Sequence, residues 1–346
     1  MDQTAKYLER AKQRVREVLD VEHAVVGAEL TARISEAGFN KSGQNIDAHH
    51  VTNALRELTA AGDIIQVDPE ATRGKHTIKT IQPADQKRRK TAIARAAARK
   101  RLLYARYLSW ASGSVRYPHG HIGPAGEEAV RTAILASGQL QPERADFGPV
   151  NSLLGVPLPG ELDSAGYHVP KLLGVPQRPI TVMVEVKNVR GWIYPGSEEL
   201  YQLLNKALVL QLARPDQLIL PVFVCRRAHI TAFWMAQQLG FMIVDMELQY
   251  IGNPDLDKPE HFDEVRVELH FDDLRVGTGP SLRTKDRLIK VLPDHATNMA
   301  LAWMETVANE EIAELIPQLR TASYFERNEL MEQLRDAVKR AGHKGF

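Results

Sequence analysis

The segment Pro179-Ile-Thr-Val-Met-Val-Glu-Val-Lys-Asn188 constrains the chain more than any other. Five of the six residues from Ile180 to Glu185 are apolar or β-branched, which reads as a buried strand. Side chains alternate faces along a strand, so Glu185 and Lys187 project from one side, roughly 6–7 Å apart. A carboxylate and an ammonium at the end of a buried strand are costly unless they bind something. The carboxylate suits a divalent metal. The lysine suits a water or the charge of a phosphate.

A second acid stands 22 positions earlier, in Pro157-Leu-Pro-Gly-Glu-Leu-Asp163. Before it, Gly123-Pro-Ala-Gly-Glu127-Glu128-Ala-Val-Arg-Thr-Ala-Ile-Leu135 reads as a helix that begins with acids, a placement the helix dipole favours. Glu127 precedes Val130 by three residues and Ile134 by seven, so it shares their inward face and is preferred to Glu128. After the strand, residues 197–212 read as a helix with Gln202 and Lys206 one turn apart. Residues 217–225 follow as a strand, 229–239 as a helix and 240–245 as a strand. This alternation predicts an α/β sheet covered by helices.

An acid, a spacer of this order and then acid-x-Lys on an apolar strand resembles the PD-(D/E)xK, or restriction-endonuclease-like, nuclease superfamily, over about residues 123–245. The resemblance implies an α/β nuclease core, a mixed central sheet flanked by helices. It also implies a metal-dependent endonuclease that hydrolyses phosphodiester bonds. Asp163 and Glu185 would bind Mg2+, with Mn2+ able to substitute. The carbonyl of Val186 would complete the protein ligands, and Glu127 would add one directly or through water. Lys187 would orient the attacking water, and Gln202 and Lys206 would position water or phosphate. The sequence departs from the family pattern in that no proline precedes Asp163; Pro159 stands four residues earlier. Glu161 is the alternative ligand, but it would sit further from Glu185.

Composition bounds the class. The chain has 346 residues, 44% hydrophobic and 25% charged, enough for two or three globular domains. The single cysteine, Cys225, excludes an internal disulfide framework and any Cys-cluster metal site. It lies in an apolar strand and reads as a small buried hydrophobe. No run of about 18 apolar residues and no apolar leader occurs, so no membrane partner and a cytoplasmic location are expected. Residues 1–110 carry a net charge of +7 and residues 111–346 of −6, giving the chain's +1. That asymmetry suggests a basic part meeting nucleic acid and an acidic part binding metal.

The N-terminal part reads as three helices, over residues 4–19, 27–38 and 48–61, then two strands, 64–67 and 76–81, joined by a turn. This order resembles a winged helix-turn-helix, a small α+β domain whose third helix enters the major groove. Val51, Ala54, Leu55 and Leu58 face inward on that helix. The resemblance leaves His49, His50, Asn53 and Arg56 toward DNA and puts Arg73, Lys75 and Lys79 on the wing. Adjacent histidines point about 100° apart on a helix, which excludes a zinc pair. Residues 86–116 then hold Lys87, Arg88, Arg89, Lys90, Arg95, Arg99, Lys100, Arg101, Arg106 and Arg116 without one acid. The alanines among them favour helix. Such a helix would run along phosphates and release counterions; the alternative is a solvated linker.

Residues 139–178 read as loop and short hairpin around Asp163. His119 and His121 read as loop residues near substrate, while Trp192 and Tyr194 either pack or stack on a base. Residues 264–271 alternate like an edge strand, and residues 296–340 show helical spacing. The expected organisation is a DNA-binding domain (1–83), a basic helical linker (84–116), a nuclease core (117–253) and a C-terminal part (254–346) that packs on the core or dimerises. Double-stranded DNA is the expected partner, and cutting both strands calls for two sites, hence a homodimer. A setting in prokaryotic defence rests on analogy. The alternatives are a non-catalytic DNA-binding regulator on a nuclease-like fold, and a structure-specific or RNA nuclease.

Overall fold

The computed structural model describes residues 3–36, 46–69, 77–87, 89–112, 120–253 and 258–342. The chain divides into two compact units, residues 1–121 with 253–274, and residues 122–252 with 275–346.

The first unit begins with helices α1 (Gln3–Glu22) and α2 (Gly27–Thr31), the latter running into a π-helical turn, Ala32–Glu36. Helix α3 (Ala48–Ala60) leads to the antiparallel pair β1 (Ile64–Val67) and β2 (Thr80–Pro83), then to α4 (Lys90–Ala111). Ala11, Val15 and Leu19 of α1 close a core with Leu30, Val51, Ala54, Leu58, Ile64 and Ile81. Three helical segments and the first strand lie where expected, whereas the second strand, expected over residues 76–81, runs Thr80–Pro83.

Helix α4 differs from the basic linker expected of it. Ile93, Ala97, Leu103, Tyr107 and Trp110 are buried, and Lys100 is buried with them. The acids that the neighbouring sequence lacks come from elsewhere. The Lys100 ammonium donates to Glu29 Oε1 and to the Glu268 carbonyl, each at 2.7 Å, and lies 3.1 Å from Glu22. Arg99 pairs with Glu268 at 2.6 Å and Glu264 at 3.3 Å, and Arg106 with Glu264 at 2.8 Å. Arg101 donates to the carbonyls of Val67 and Ile78 and to the Thr80 hydroxyl. Glu22 and Glu29 come from α1 and α2, and Glu264 and Glu268 from α8 (Glu260–Glu268), where an edge strand was expected. The apolar residues Val265, Leu269 and Phe271 also fit helical spacing, and their burial beside α4 selects the helix. Arg99 is therefore held by carboxylates, and its hydrogen bonds to Glu268 and Glu264 raise the guanidinium above its ordinary value.

The second unit is α/β. Helix α5 (Ile122–Ser137) precedes β3 (Gln141–Pro142), β4 (Val150–Leu153), β5 (Val156–Leu162), β6 (Ser164–His168), β7 (Lys171–Leu172) and β8 (Val175–Pro176). Then come β9 (Ile180–Lys187), α6 (Glu198–Ala213), β10 (Ile219–Cys225), α7 (Ile230–Leu239), β11 (Met242–Asp245) and β12 (Gln249–Ile251). After α8 and β13 (Leu274–Val276), three helices end the chain, α9 (Leu282–Ala308), α10 (Glu310–Thr321) and α11 (Tyr324–Arg340). The mixed five-stranded sheet has the order β11-β10-β9-β6-β3. Strands β9, β10 and β11 are parallel, and β6 is antiparallel to β9. Residues 139–178 are thus more strand than the loop expected. Gly166 lets β6 lie close to β3, since a Cβ there would meet the Gln141 carbonyl at 2.6 Å.

Alternation sorts β9 onto two cores. Val182, Val184 and Val186 pack on the face covered by α5 and the first half of α9. Met183 packs on the opposite face with Leu200, Leu203, Leu204 and Ala207 of α6 and with α7, α10 and α11. The C-terminal helices 282–340 therefore complete this unit's own core. Gly240 ends α7 at φ +77°, and a Cβ there would come 2.1 Å from the Trp303 nitrogen of α9.

The Glu29–Lys100 pair carries a stability prediction. Both groups are buried, and burial raises the Glu29 carboxyl against the opposing pull of Lys100 and Arg33. Lys100→Met should destabilise the protein by about 3–5 kcal/mol, because it breaks a buried ion pair and leaves the Glu29 carboxylate with Arg33 as its remaining partner. The double variant Glu29→Gln/Lys100→Met should recover much of that loss. Urea unfolding of the three proteins checks both statements.

Candidate active site

The register of β6 against β9 pairs Ser164 with Val184 and Ala165 with Met183. One step further along this register sets Asp163 opposite Glu185. Residues directly opposite on an antiparallel pair share a face. Asp163, Glu185 and Lys187 thus share the face of Met183, the one that α6 covers. They meet at the C-terminal end of a parallel strand, beside the point where the sheet changes from parallel to antiparallel pairing. Ligands of open α/β sheets commonly bind at the carboxyl ends of strands.

Glu185 is only 3% exposed, and both carboxylate oxygens are engaged. Oε1 accepts from the Lys187 ammonium at 2.8 Å, and Oε2 from the Lys206 ammonium at 2.6 Å. Lys206 comes from α6 and also donates to the Glu161 carbonyl at 2.5 Å. Asp163 Oδ2 accepts the Val186 backbone N–H at 2.6 Å, which ties the acid to the strand that carries Glu185. Burial first, then the charge of Glu185, pushes the Asp163 carboxyl up to about 6. Glu127 adds to that rise, so α5 brings its charge near the same acid. Burial works against the Lys187 ammonium, but Glu185 and Asp163 outweigh it and raise the group.

Glu161 is exposed, so Asp163 is the acid that faces Glu185. Gln202 is half-buried one turn before Lys206. Lys206, expected at nucleic acid, is instead buried against Glu185. Tyr194 packs on the ring of His229, 5.0 Å between centroids.

Two residues had been overlooked. Asn188, 4% exposed, donates through Nδ2 to the carbonyls of Ile122 and Tyr250, each at 2.6 Å, and accepts the Tyr250 N–H at 3.1 Å. It therefore pins the first residue of α5 to the end of β9. Gly126 makes this approach possible, because a Cβ there would lie 2.4 Å from Asn188 Cβ. The available signal was an amide directly after Lys187 at the end of a buried strand, where an unbonded polar group is costly.

In the first unit, Asn53 and Arg56 hydrogen-bond to each other at 2.7 Å on the outer face of α3, and His49 is half-buried. His50 faces inward, buried and stacked on Tyr7 of α1 at 5.6 Å, and does not project as expected. Its position one residue before Val51 puts it at the border of the apolar stripe, where an aromatic ring on α1 draws it in. Lys87 and Arg95 are exposed, and Arg89 pairs with Asp20 at 3.1 Å. Arg73, Lys75, Arg88 and His119 lie outside the described residues.

Comparisons with protein-family models, with curated proteins and with solved structures return no match. Among the described residues, no helix is long and apolar enough to cross a membrane.

The raised Asp163 carboxyl predicts how stability follows pH. Its folded value of about 6 lies above the about 4 of an unfolded aspartate. The fold thus holds this proton more tightly than the unfolded chain does. The group favours folding below about pH 4 and loses that contribution as pH rises through about 6. Asp163→Asn, neutral throughout, should be more stable than the parent by about 1–3 kcal/mol at pH 8 in EDTA. The difference should vanish toward pH 4. Denaturant titrations at the two pH values measure it.

Gly126→Ala tests the seat of α5. The added methyl forces the helix off Asn188, and overpacking of this kind costs about 1–3 kcal/mol. Thermal unfolding should show that loss, whereas Gly123→Ala, where a Cβ meets only the end of Glu127 at 3.9 Å, should change little.

Proposed function

We propose that this protein is a metal-dependent endonuclease of the PD-(D/E)xK kind acting on DNA. The observation that carries the reading is Asp163 opposite Glu185 with Lys187 and Lys206 on the same face. Two crowded carboxylates and a lysine at a sheet end are the parts that phosphodiester hydrolysis needs. The donor set fits a hard cation: Asp163, Glu185 and Glu127 offer oxygens only, as Mg2+ or Mn2+ prefers. Burial first, and then the neighbouring charge of Glu185, raises the Asp163 carboxyl, and a bound divalent cation would oppose both by favouring the charged form. A bound Mg2+ would supply Lewis-acid stabilisation of the scissile phosphate and a more acidic water.

Each side chain then has a task. Asp163 and Glu185 hold the cation, with the Val186 carbonyl beside them, and Glu127 contributes from α5. Lys187 is the more exposed of the two lysines and reaches toward substrate, where it orients the water and offsets the charge that develops on phosphate. Gln202, on the same helix as Lys206, positions water or phosphate.

The first unit, with three helices and a two-stranded hairpin, supports a winged-helix reading in which α3 meets duplex DNA through His49, Asn53 and Arg56. Lys87 and Arg95 extend that surface. His50, Arg99 and Lys100 have structural work instead, so α4 braces the unit and its cations on that face do not reach phosphate. A homodimer, cleavage of both strands and a defence role belong to the same proposal.

The test is cleavage of supercoiled plasmid by the purified protein with Mg2+, Mn2+ or EDTA. Metal-dependent nicking or linearisation is expected. Asp163→Ala and Lys187→Ala should each lower it by about 100-fold or more while the circular dichroism spectrum is retained. Cleavage that survives both substitutions would overturn the assignment. Salt-dependent DNA binding without cleavage would favour a regulator on a nuclease-like fold.

A further inference from the structure

Glu185 is held by two lysines that are not equivalent. Lys206 has two acceptors, Glu185 Oε2 at 2.6 Å and the Glu161 carbonyl at 2.5 Å, and its side chain is 7% exposed. Gly160 lies against its stem, where an added Cβ would be 3.7 Å from Cε. Lys187 has one acceptor among the described residues, Glu185 Oε1 at 2.8 Å, and its side chain is 24% exposed. An ammonium carries three donors. Lys187 therefore keeps two for solvent or a ligand, and Lys206 keeps one in a buried setting.

Building on the nuclease reading, we infer that the site takes one divalent cation, which enters by displacing Lys187 from Glu185, while Lys206 retains the other oxygen and stands in for a second cation. The asymmetry of cost decides which lysine yields. Moving Lys206 would strand a buried ammonium and leave the Glu161 carbonyl without its donor, both unfavourable in a dry interior. Moving Lys187 returns a partly exposed ammonium to water. A second divalent ion on Oε2 would also face the Lys206 charge at contact distance, and like charges repel strongly where water is excluded. Lys206 is thus a positioning residue. It ties the strand before Asp163 to Glu185 and sets how many ions the site accepts. Lys187 is an internal counterion in the metal-free protein, and metal entry releases it for substrate.

The test is titration of Mn2+ into the metal-free full-length protein by calorimetry, with free Mn2+ followed in parallel by electron paramagnetic resonance. The parent should bind one Mn2+ per chain. Lys187→Gln should still bind one, about tenfold more tightly because its competitor is gone, yet lose plasmid cleavage. A general structural defect would weaken both. Lys206→Gln should bind two, and Lys206→Arg, which keeps the charge, one. Two ions on the parent, or unchanged or weaker binding by Lys187→Gln, would overturn the inference, as would a single ion on folded Lys206→Gln. If Lys206→Gln does not fold, the parent's stoichiometry and the Lys187→Gln affinity still decide. Absence of Mn2+ binding by the parent would instead remove the metal site and the nuclease reading together. Intact metal-dependent cleavage with two bound ions would remove only this inference.

Discussion

A single carboxylate at the end of a sheet strand, Glu185, sets the terms for the second unit. Burial makes its charge expensive, and the chain answers with an ammonium on each oxygen. One comes from the same strand and one from α6, so the ion cluster also sets where the helix lies on the sheet. Asp163 is drawn in by a backbone N–H of the same strand and is left with a carboxyl that resists ionisation. The cluster is therefore charged and partly frustrated, a condition that structural cores avoid and binding sites exploit.

The scaffold around it is built to hold that condition. Strand β9 is covered on both faces, by α5 and α9 on one side and by α6 with the C-terminal helices on the other. Asn188 ends the strand by satisfying three backbone groups, and Gly126 lets α5 come close enough to receive one of those bonds. Rigid elements of this kind keep acidic side chains crowded where flexible loops would let them separate.

The first unit solves a different electrostatic problem. A helix with many cations and no acid of its own is neutralised by Glu22, Glu29, Glu264 and Glu268, which lie far away in sequence. Its cations are largely used for folding. Fewer cations are left exposed than the charge count suggests, Lys87 and Arg95 among them.

Much of this was legible in the chain alone. The spacing of apolar residues determined α1, α3, α5 to α7 and strands β9 to β11, and the alternation of side chains along β9 determined that Glu185 and Lys187 share a face. These are local properties, set by backbone geometry over a few residues. The sequence misled where partners are remote. His50 turned inward because of a tyrosine on another helix, the segment expected as an edge strand became the end of helix α8 because its apolar side chains pack beside α4, and the cations of α4 met acids 71 to 169 residues away. The exact partner of each oxygen of Glu185, the seat of α5 on Asn188 and the burial of Lys206 likewise came only from the tertiary structure. Which charge is neutralised by which depends on distances that no local pattern carries, and those distances exist only once the sheet has chosen its register.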